Sequence, residues 1–328
     1  MGISVVIPCF NEEQYIESCL NSILENGFPL EALEILVVDG GSNDDTLTIL
    51  RKISQKYPII KILDNKHKVT PYALNMGIEH ASNAYIMVAG AHAIYPNNYL
   101  NSLYETIQNP EIDIIGGAIE TVTKHSNKKS NSIKYVLSHP LGVGNAMFRI
   151  GAKELVPVDT VPFGLYPKNL FSKVGNYNVK LIRNHDMELS KRIIANGYKI
   201  WMDPSKKVKY FARETYSGLF ENNYANGFWN IKTVWITKNF KSLSFRHFVP
   251  LIFVLSLFLP LIGMIFYKYL VLISLLSIAL YLFSVVAIAL RGTENTAVVS
   301  IIKSFFVLHF SYGMGSLMAI FSLVNFRK

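Results

Sequence analysis

Hydrophobic and polar positions divide the chain into two regimes that meet near residue 248. Before that point short apolar runs alternate with stretches whose apolar residues recur at helical spacing; after it come long runs almost free of charge. In the first regime strands are predicted at residues 3–7, 34–38, 60–63 and 85–89. Tyr15, Ile16, Cys19, Leu20 and Ile23 share one helical face, and Ala73, Leu74, Gly77, Ile78 and Ala81 share another. Thr70 is the expected cap of the later helix, with Pro71 in its first turn. This alternation predicts an α/β domain with a largely parallel sheet.

From residue 112 the order loosens. A strand is expected at 112–121, a mobile polar surface loop at 123–131, and Gly-rich turns around Gly142 and Gly144. Residues 186–196 read as a helix with Leu189, Ile193 and Ile194 inward and Gly197 as its C-cap. Two strands follow at 198–202 and 208–212, then an aromatic-rich amphipathic helix at 216–237. The second regime holds three apolar runs, 249–267, 269–290 and 301–326. Each approaches the roughly 20 residues that cross a bilayer core. Only Lys268 separates the first two, so they form a tight hairpin or lie partly in the interface, and the third carries Lys303 and His309. The expected division is an α/β domain over 1–240, ending in the interfacial helix, and a membrane domain of two to three helices over 241–328. Buried helices of a soluble domain are the alternative.

Composition narrows the partners. The net charge of +9 comes from 32 basic and 23 acidic residues, a balance that suits phosphate-bearing substrates and anionic lipid. The basic residues between Lys232 and Arg246 directly precede the first apolar run, where they face the negative cytoplasmic leaflet. Arg246 and Arg291 on one side suit an N-terminal domain in the cytosol and a multi-pass protein of the plasma membrane, with Arg327 and Lys328 opposite if all three runs span. No aromatic-basic RNA-reading motif appears, so nucleic acid is not expected as a partner. Two cysteines, Cys9 and Cys19, make no disulfide framework and fit a reducing compartment. Met1-Gly2 runs straight into a strand without a charged leader, so the N-terminal domain is expected to stay on the side where it is made.

The chemistry-bearing residues sit at predicted strand ends. Val5-Val6-Ile7-Pro8-Cys9-Phe10-Asn11-Glu12-Glu13 leaves the first strand, and Val37-Val38-Asp39-Gly40-Gly41-Ser42 leaves the second. Polar groups are thereby gathered at the carboxyl edge of a parallel sheet, where open α/β sheets bind ligands. No Gly-x-Gly-x-x-Gly follows the first strand, which argues against a dinucleotide-binding dehydrogenase.

With these motifs in this order, residues 3–229 resemble family 2 of the inverting glycosyltransferases, in its membrane-attached, ExoA-like exopolysaccharide branch. The resemblance implies a GT-A fold, the Rossmann-like domain of nucleotide-diphospho-sugar transferases, followed by C-terminal transmembrane helices. It implies that Pro8 and Glu12 line the nucleotide site and that Asp39 holds the base or ribose. The family next places Asp-x-Asp or Asp-Ala-His after the fourth strand, where a divalent cation, Mg²⁺ or Mn²⁺, bridges the donor's phosphates. This chain reads Gly90-Ala91-His92, so the leading carboxylate is missing and metal assistance is in doubt. His92 is left to ligate a metal, to hydrogen-bond a phosphate or to serve a turn. Asp159-Thr160-Val161-Pro162-Phe163-Gly164 and Asn184-His185-Asp186-Met187-Glu188-Leu189 resemble the acceptor side of the branch. Asp186 is by resemblance the general base, His185 stands where the wider family often has Glu, and Glu188 orients neighbours or pairs with Arg192. Tyr216, Tyr224 and Trp229 either stack on sugars or anchor the interface, with Trp229 counted to the acceptor side. No Gln-x-x-Arg-Trp segment follows, which favours one sugar per encounter.

Two functions remain. One is transfer from a nucleotide-sugar donor, UDP-linked by default, to a lipid-linked or polysaccharide acceptor, alongside other polysaccharide-assembly proteins. The other is a catalytically impaired nucleotide-sugar-binding or scaffold protein, motivated by Gly90.

Overall fold

The computed structural model describes residues 2–325, so Phe326, Arg327 and Lys328 at the end of the third apolar run lie outside the described residues. The described residues fall into two compact units, residues 2–120 with 147–211 and residues 121–146 with 212–325.

The first unit contains β1 (Ile3–Cys9), α1 (Ile16–Leu24), β2 (Leu33–Asp39), α2 (Thr46–Lys56), β3 (Ile60–Asp64), α3 (Thr70–His80), β4 (Tyr85–Val88), β5 (Ala93–Ile94), α4 (Tyr99–Thr106) and most of β6 (Ile114–Val122). The chain leaves it for α5 (Lys128–Leu137) and α6 (Pro140–Val143). It returns as α7 (Met147–Ile150), β7 (Val156–Pro157), β8 (Leu165–Pro167), α8 (Lys168–Val174), α9 (His185–Ala195) and β9 (Ile200–Phe211). The second unit continues with α10 (Tyr216–Thr237), α11 (Val249–Gly263), α12 (Val271–Ala289) and α13 (Val298–Asn325).

The strands form one sheet in the order β3-β2-β1-β4-β8-β6-β9-β5, with β7 on β9. β3, β2, β1 and β4 are parallel, whereas β8 runs antiparallel to β4 and β6, as β9 does to β5 and β7. Alternation along β1 and β2 builds two core layers. Ile3, Val5, Ile7, Ile35 and Val37 pack with Ile16, Cys19, Leu20 and Ile23 of α1. Val6, Leu36 and Val38 face the other way onto Ala73, Leu74 and Ile78 of α3. Burial on both faces is why these strands read as unbroken apolar runs. Each fully buried aliphatic side chain contributes about 1.5–3 kcal/mol.

Several predicted features differ. Thr70 lies inside α3 rather than capping it; Val69 holds the cap position without a side-chain bond. The polar stretch at 123–131 is not a continuous loop, because Asn127 and Ser130 form a reciprocal capping box that starts α5. The strands expected at 198–202 and 208–212 are one, β9, and Ile194 is 39% exposed rather than inward.

At the amino end of this sheet, Glu34 is buried and accepts from Ser4 Oγ at 2.6 Å, Lys61 Nζ at 2.7 Å and the Ser82 N–H at 2.9 Å. Burial alone would raise its pKa, but these donors outweigh it and hold the carboxyl at about 2. Because the folded value lies below the unfolded one, this stabilisation is present above about pH 4.5. It is lost as pH falls toward about 2. Glu34→Gln is expected to cost about 1–3 kcal/mol at pH 7. In denaturant melts the gap to the natural protein should close as the pH is lowered through that window; a gap independent of pH would rule out the ionised carboxylate as its source.

In the second unit, α10 packs on α13, which also meets α5, α11 and α12. A Cβ on Gly227 or Gly315 would fall onto the backbone of the facing helix, so glycine permits this close approach. This packing groups α10 with the apolar helices, where the sequence division at 240 grouped it with the first domain. The helices Phe245–Gly263, Lys268–Ala289 and Val298–Leu323 are long and apolar enough to cross a membrane. Large apolar side chains such as Leu276 and Phe283 are 60% and 75% exposed on them, a surface suited to lipid. The polar groups of α13 are partnered: Lys303 lies over the Tyr216 ring at 4.4 Å, and His309 meets Tyr281 Oη at 3.0 Å and the Leu141 carbonyl at 2.8 Å.

Candidate active site

The loops that leave β1 and β2 clamp each other. The Asn11 N–H donates to Ser42 Oγ at 2.9 Å and the Glu12 N–H to Thr46 Oγ1 at 2.8 Å, while Asn11 Oδ1 accepts from the Asn43 N–H at 2.9 Å. Asp39 closes β2 as a buried residue: Oδ2 accepts the N–H groups of Gly41 and Ser42 at 2.8 and 2.9 Å, and Oδ1 accepts the Ser42 hydroxyl at 2.5 Å. Its carboxylate therefore shapes the turn, with Gly41 at φ +79°.

These loops border a cleft of about 240 Å³ at the carboxyl ends of the parallel strands. Pro8, Glu12, Gly90, Ala91 and His92, all singled out from sequence, line it together, and Gly40 brings the loop of Asp39 to its rim. Lys68, exposed at the end of the loop after β3, adds a cation that the motif reading missed. A larger open depression of about 1040 Å³ lies at the other end of the sheet, beside Ala84, Tyr85, Pro167 and Lys168. It is at the amino ends of the strands, whereas ligands in such sheets bind at the carboxyl ends.

Within the cleft His92 Nδ1 lies 3.0 Å from Glu12 Oε1, and its ring packs against Tyr210 at 5.0 Å and Tyr15 at 6.3 Å. Tyr210 is the β9 partner of Ala93, which explains its place beside His92. Gly90 donates its N–H to Tyr95 Oη at 2.8 Å. A Cβ at Gly90 would stand 2.8 Å from Phe163 Cε1, so an aromatic ring takes the space of the missing side chain. Phe163 itself is held at φ +51°, an uncommon conformation for a bulky residue, with its carbonyl accepting from Tyr99 Oη at 3.1 Å. Among the described residues no three His, Cys, Asp or Glu side chains converge as a cation site. Glu12 and His92 alone face the cleft with ligating atoms close together, which does not fit the oxygen-rich cradle preferred by Mg²⁺ or Mn²⁺. Cys9, also on the cleft, has its thiol pushed up by burial and by Glu12 and Asp39, so it is inert as a nucleophile.

The acceptor-side residues form a second cluster at the start of α9. Asp186 is exposed there, outside the lining of the cleft, and its charge raises the already burial-raised pKa of Tyr166. Burial, then Tyr166, then Asp186 act likewise on Tyr177. Tyr166 borders Gly164, whose carbonyl accepts from the Val88 N–H at 3.1 Å, so the chain from Phe163 to Tyr166 links this cluster to the tip of β4. His185 packs edge-on against Tyr177 at 5.7 Å; burial lowers its pKa against the pull of Asp186, and its Nδ1 is buried without a partner. Glu188 is buried and forms a two-point pair with Arg192, Nε to Oε1 at 2.6 Å and Nη2 to Oε2 at 3.0 Å. Arg192 also donates to the carbonyls of Val174, Gly175 and Asn176, so the pair ties α9 to the end of α8. Trp229 belongs to the second unit, on α10, with Lys232 Nζ 5.2 Å over its ring.

The model of the family described as Glycosyl transferase family 2 matches residues 4–175, more than half of the chain. The chain belongs to glycosyl transferase family 2. It is a glycosyltransferase with a GT-A-like α/β domain and three apolar helices suited to a membrane. Over 233 residues it is 30% identical to the dolichyl N-acetyl-alpha-D-glucosaminyl phosphate 3-beta-D-2,3-diacetamido-2,3-dideoxy-beta-D-glucuronosyltransferase of Methanococcus voltae, covering 69% of this chain and 71% of that one. It is 29% identical over 225 residues to the succinoglycan biosynthesis protein ExoA of Rhizobium meliloti (strain 1021), covering 68% and 67%. Its fold is similar to that of the mannosyltransferase PcManGT from Pyrobaculum calidifontis, solved in complex with GDP-Man and Mn²⁺, with TM-score 0.63, 13% identity and coverage of 98% and 87%.

Proposed function

We propose that this family 2 enzyme moves a sugar, with inversion, from a nucleoside-diphosphate donor in the strand-tip cleft to a lipid-linked or glycan acceptor at the cytosolic face of the membrane. The observation that carries this reading is the cleft itself, which unites Pro8, Glu12, Gly90, Ala91 and His92 at the carboxyl edge of the sheet. Lipid-linked and exopolysaccharide chemistry in the names of the relatives supports the acceptor class. UDP- and GDP-sugars are the first donors to test. Arg246 and Arg291 support a cytosolic catalytic domain and a multi-pass anchor.

The chemistry is a single displacement. The acceptor hydroxyl oxygen bonds to the anomeric carbon, the carbon–oxygen bond to the diphosphate breaks, and its electron pair leaves with the nucleotide. The hydroxyl proton goes to Asp186, an exposed carboxylate at a helix start. Glu188, committed to Arg192, holds α9 in place and leaves that task to Asp186. A resident cation would screen the departing diphosphate, but the residues at the strand tips do not fit one, and no step here depends on it.

Full-length protein in nanodiscs, given nucleotide sugars with and without a polyprenyl-phosphate-linked acceptor, is expected to release nucleoside diphosphate only with acceptor present. The product should carry the opposite anomeric configuration by NMR; retention would overturn the single displacement. The ring of Phe163 at Gly90 favours a second reading, a nucleotide-sugar-binding member of a polysaccharide-assembly complex without turnover. Any transfer by the unmodified chain eliminates it.

A further inference from the structure

Arg149 lies on α7, in the segment where the chain re-enters the first unit, and no motif drew attention to it. Its guanidinium carbon stands 5.7 Å from the Tyr210 ring and 5.7 Å from the Phe148 ring. Among the described residues no carboxylate pairs with it, in contrast to Lys61, Lys191 and Arg192 of the same unit. The side chain is half-buried, and burial pushes its pKa down, although a guanidinium remains charged at neutral pH. A cation drawn from water and left without a counter-charge is costly, and such groups concentrate where a ligand completes the pairing.

Tyr210 tells where that ligand sits. The same ring that carries Arg149 packs on His92 at 5.0 Å and on Phe163 at 6.5 Å, and its backbone pairs with Ala93. Arg149 is thus one ring away from the two residues that stand at the altered Gly90-Ala91-His92 tip. There the cleft offers one carboxylate, Glu12, and not the oxygen cluster of a cation cradle, yet a departing diphosphate needs positive charge beside it. A guanidinium offers a fork of donors matched to phosphate oxygens, and the aromatic platform fixes its plane.

We infer that Arg149 is a phosphate-binding residue of the strand-tip site, supplying fixed positive charge to a phosphate of the bound substrate in place of a carboxylate-held metal. This rests on the reading of the cleft as a nucleotide-sugar site. The phosphate belongs either to the donor diphosphate or to a phosphate-linked acceptor, and two probes separate the sources.

Calorimetric titration of UDP, GDP and a short polyprenyl phosphate into the full-length protein in nanodiscs, with EDTA present, tests this. Natural protein should bind at least one of the nucleotides without metal. Arg149→Gln should weaken that binding ten-fold or more, and Arg149→Lys, which keeps charge but loses the fork, should fall between them. Unchanged nucleotide affinity with a ten-fold loss for the polyprenyl phosphate assigns the phosphate to the acceptor and upholds the inference. Unchanged affinity for every probe in whichever variant keeps the natural melting midpoint reduces Arg149 to a packing role and overturns it. Natural protein that binds none of the probes in EDTA but binds a nucleotide when Mn²⁺ is added overturns the inference and leaves the reading of the cleft standing; binding under neither condition overturns both.

Discussion

Asp186→Asn is expected to reduce kcat by about 10²–10⁴-fold, the range assigned to a positioned general base, while leaving donor affinity unchanged. The substitution preserves size and removes only the ability to take a proton. Asp186 is exposed in the first turn of α9, where loss of its charge at the helix N-terminus costs about 0.3–1 kcal/mol, so stability should stay within about 1 kcal/mol. Its neighbours Tyr166 and Tyr177 have pKa values raised first by burial and further by Asp186, so both should ionise somewhat more easily in the variant. Acceptor-dependent nucleotide release measured alongside donor titration separates the two effects. Unchanged turnover would remove Asp186 from the chemistry; lost donor binding would make it a binding residue instead.

Gly90→Asp is the second large effect. It reinstates the carboxylate that the family pattern carries, yet it should not yield a metal-activated enzyme. Gly90 does not occupy the left-handed region, so the obstacle is space: its new Cβ would lie 2.8 Å from Phe163 Cε1. Phe163 cannot retreat easily, because its backbone is held at positive φ and its ring lies against Tyr95 and Tyr210. Overpacking of this kind costs about 1–3 kcal/mol. The single variant should therefore melt earlier and lose turnover, and Phe163→Ala added to it should recover stability. A double-mutant cycle reads the coupling, and additive effects would show that Phe163 does not hold the space.

The parallel half of the sheet was legible because β1, β2 and β4 are buried on both faces and therefore print as apolar runs. β9 was read as two strands because Asp203, Pro204, Ser205, Lys206 and Lys207 interrupt the apolar pattern. In the structure the Asp203 side chain accepts from the Ser205 N–H at 2.9 Å, and the strand continues through this local turn. α5 was missed because its cap uses Ser130 where a capping box more often has Glu or Gln. The cleft residues were legible for a related reason: Pro8, Glu12, Gly90, Ala91 and His92 lie at or just after the carboxyl ends of β1 and β4 in sequence. Phe163 and Tyr210 come beside Gly90 and His92 through the antiparallel pairing of β8 with β4 and β9 with β5, and Arg149 follows by lying over Tyr210, none of which a periodicity announces.

The most direct test is a structure of the full-length protein with an intact nucleotide sugar bound. The diphosphate should lie in the cleft lined by Pro8, Glu12 and His92, with the anomeric carbon turned toward the Phe163 to Tyr166 segment and Asp186 beyond it. A nucleotide bound elsewhere, or a sugar with its reacting carbon facing away from Asp186, would contradict the mechanism.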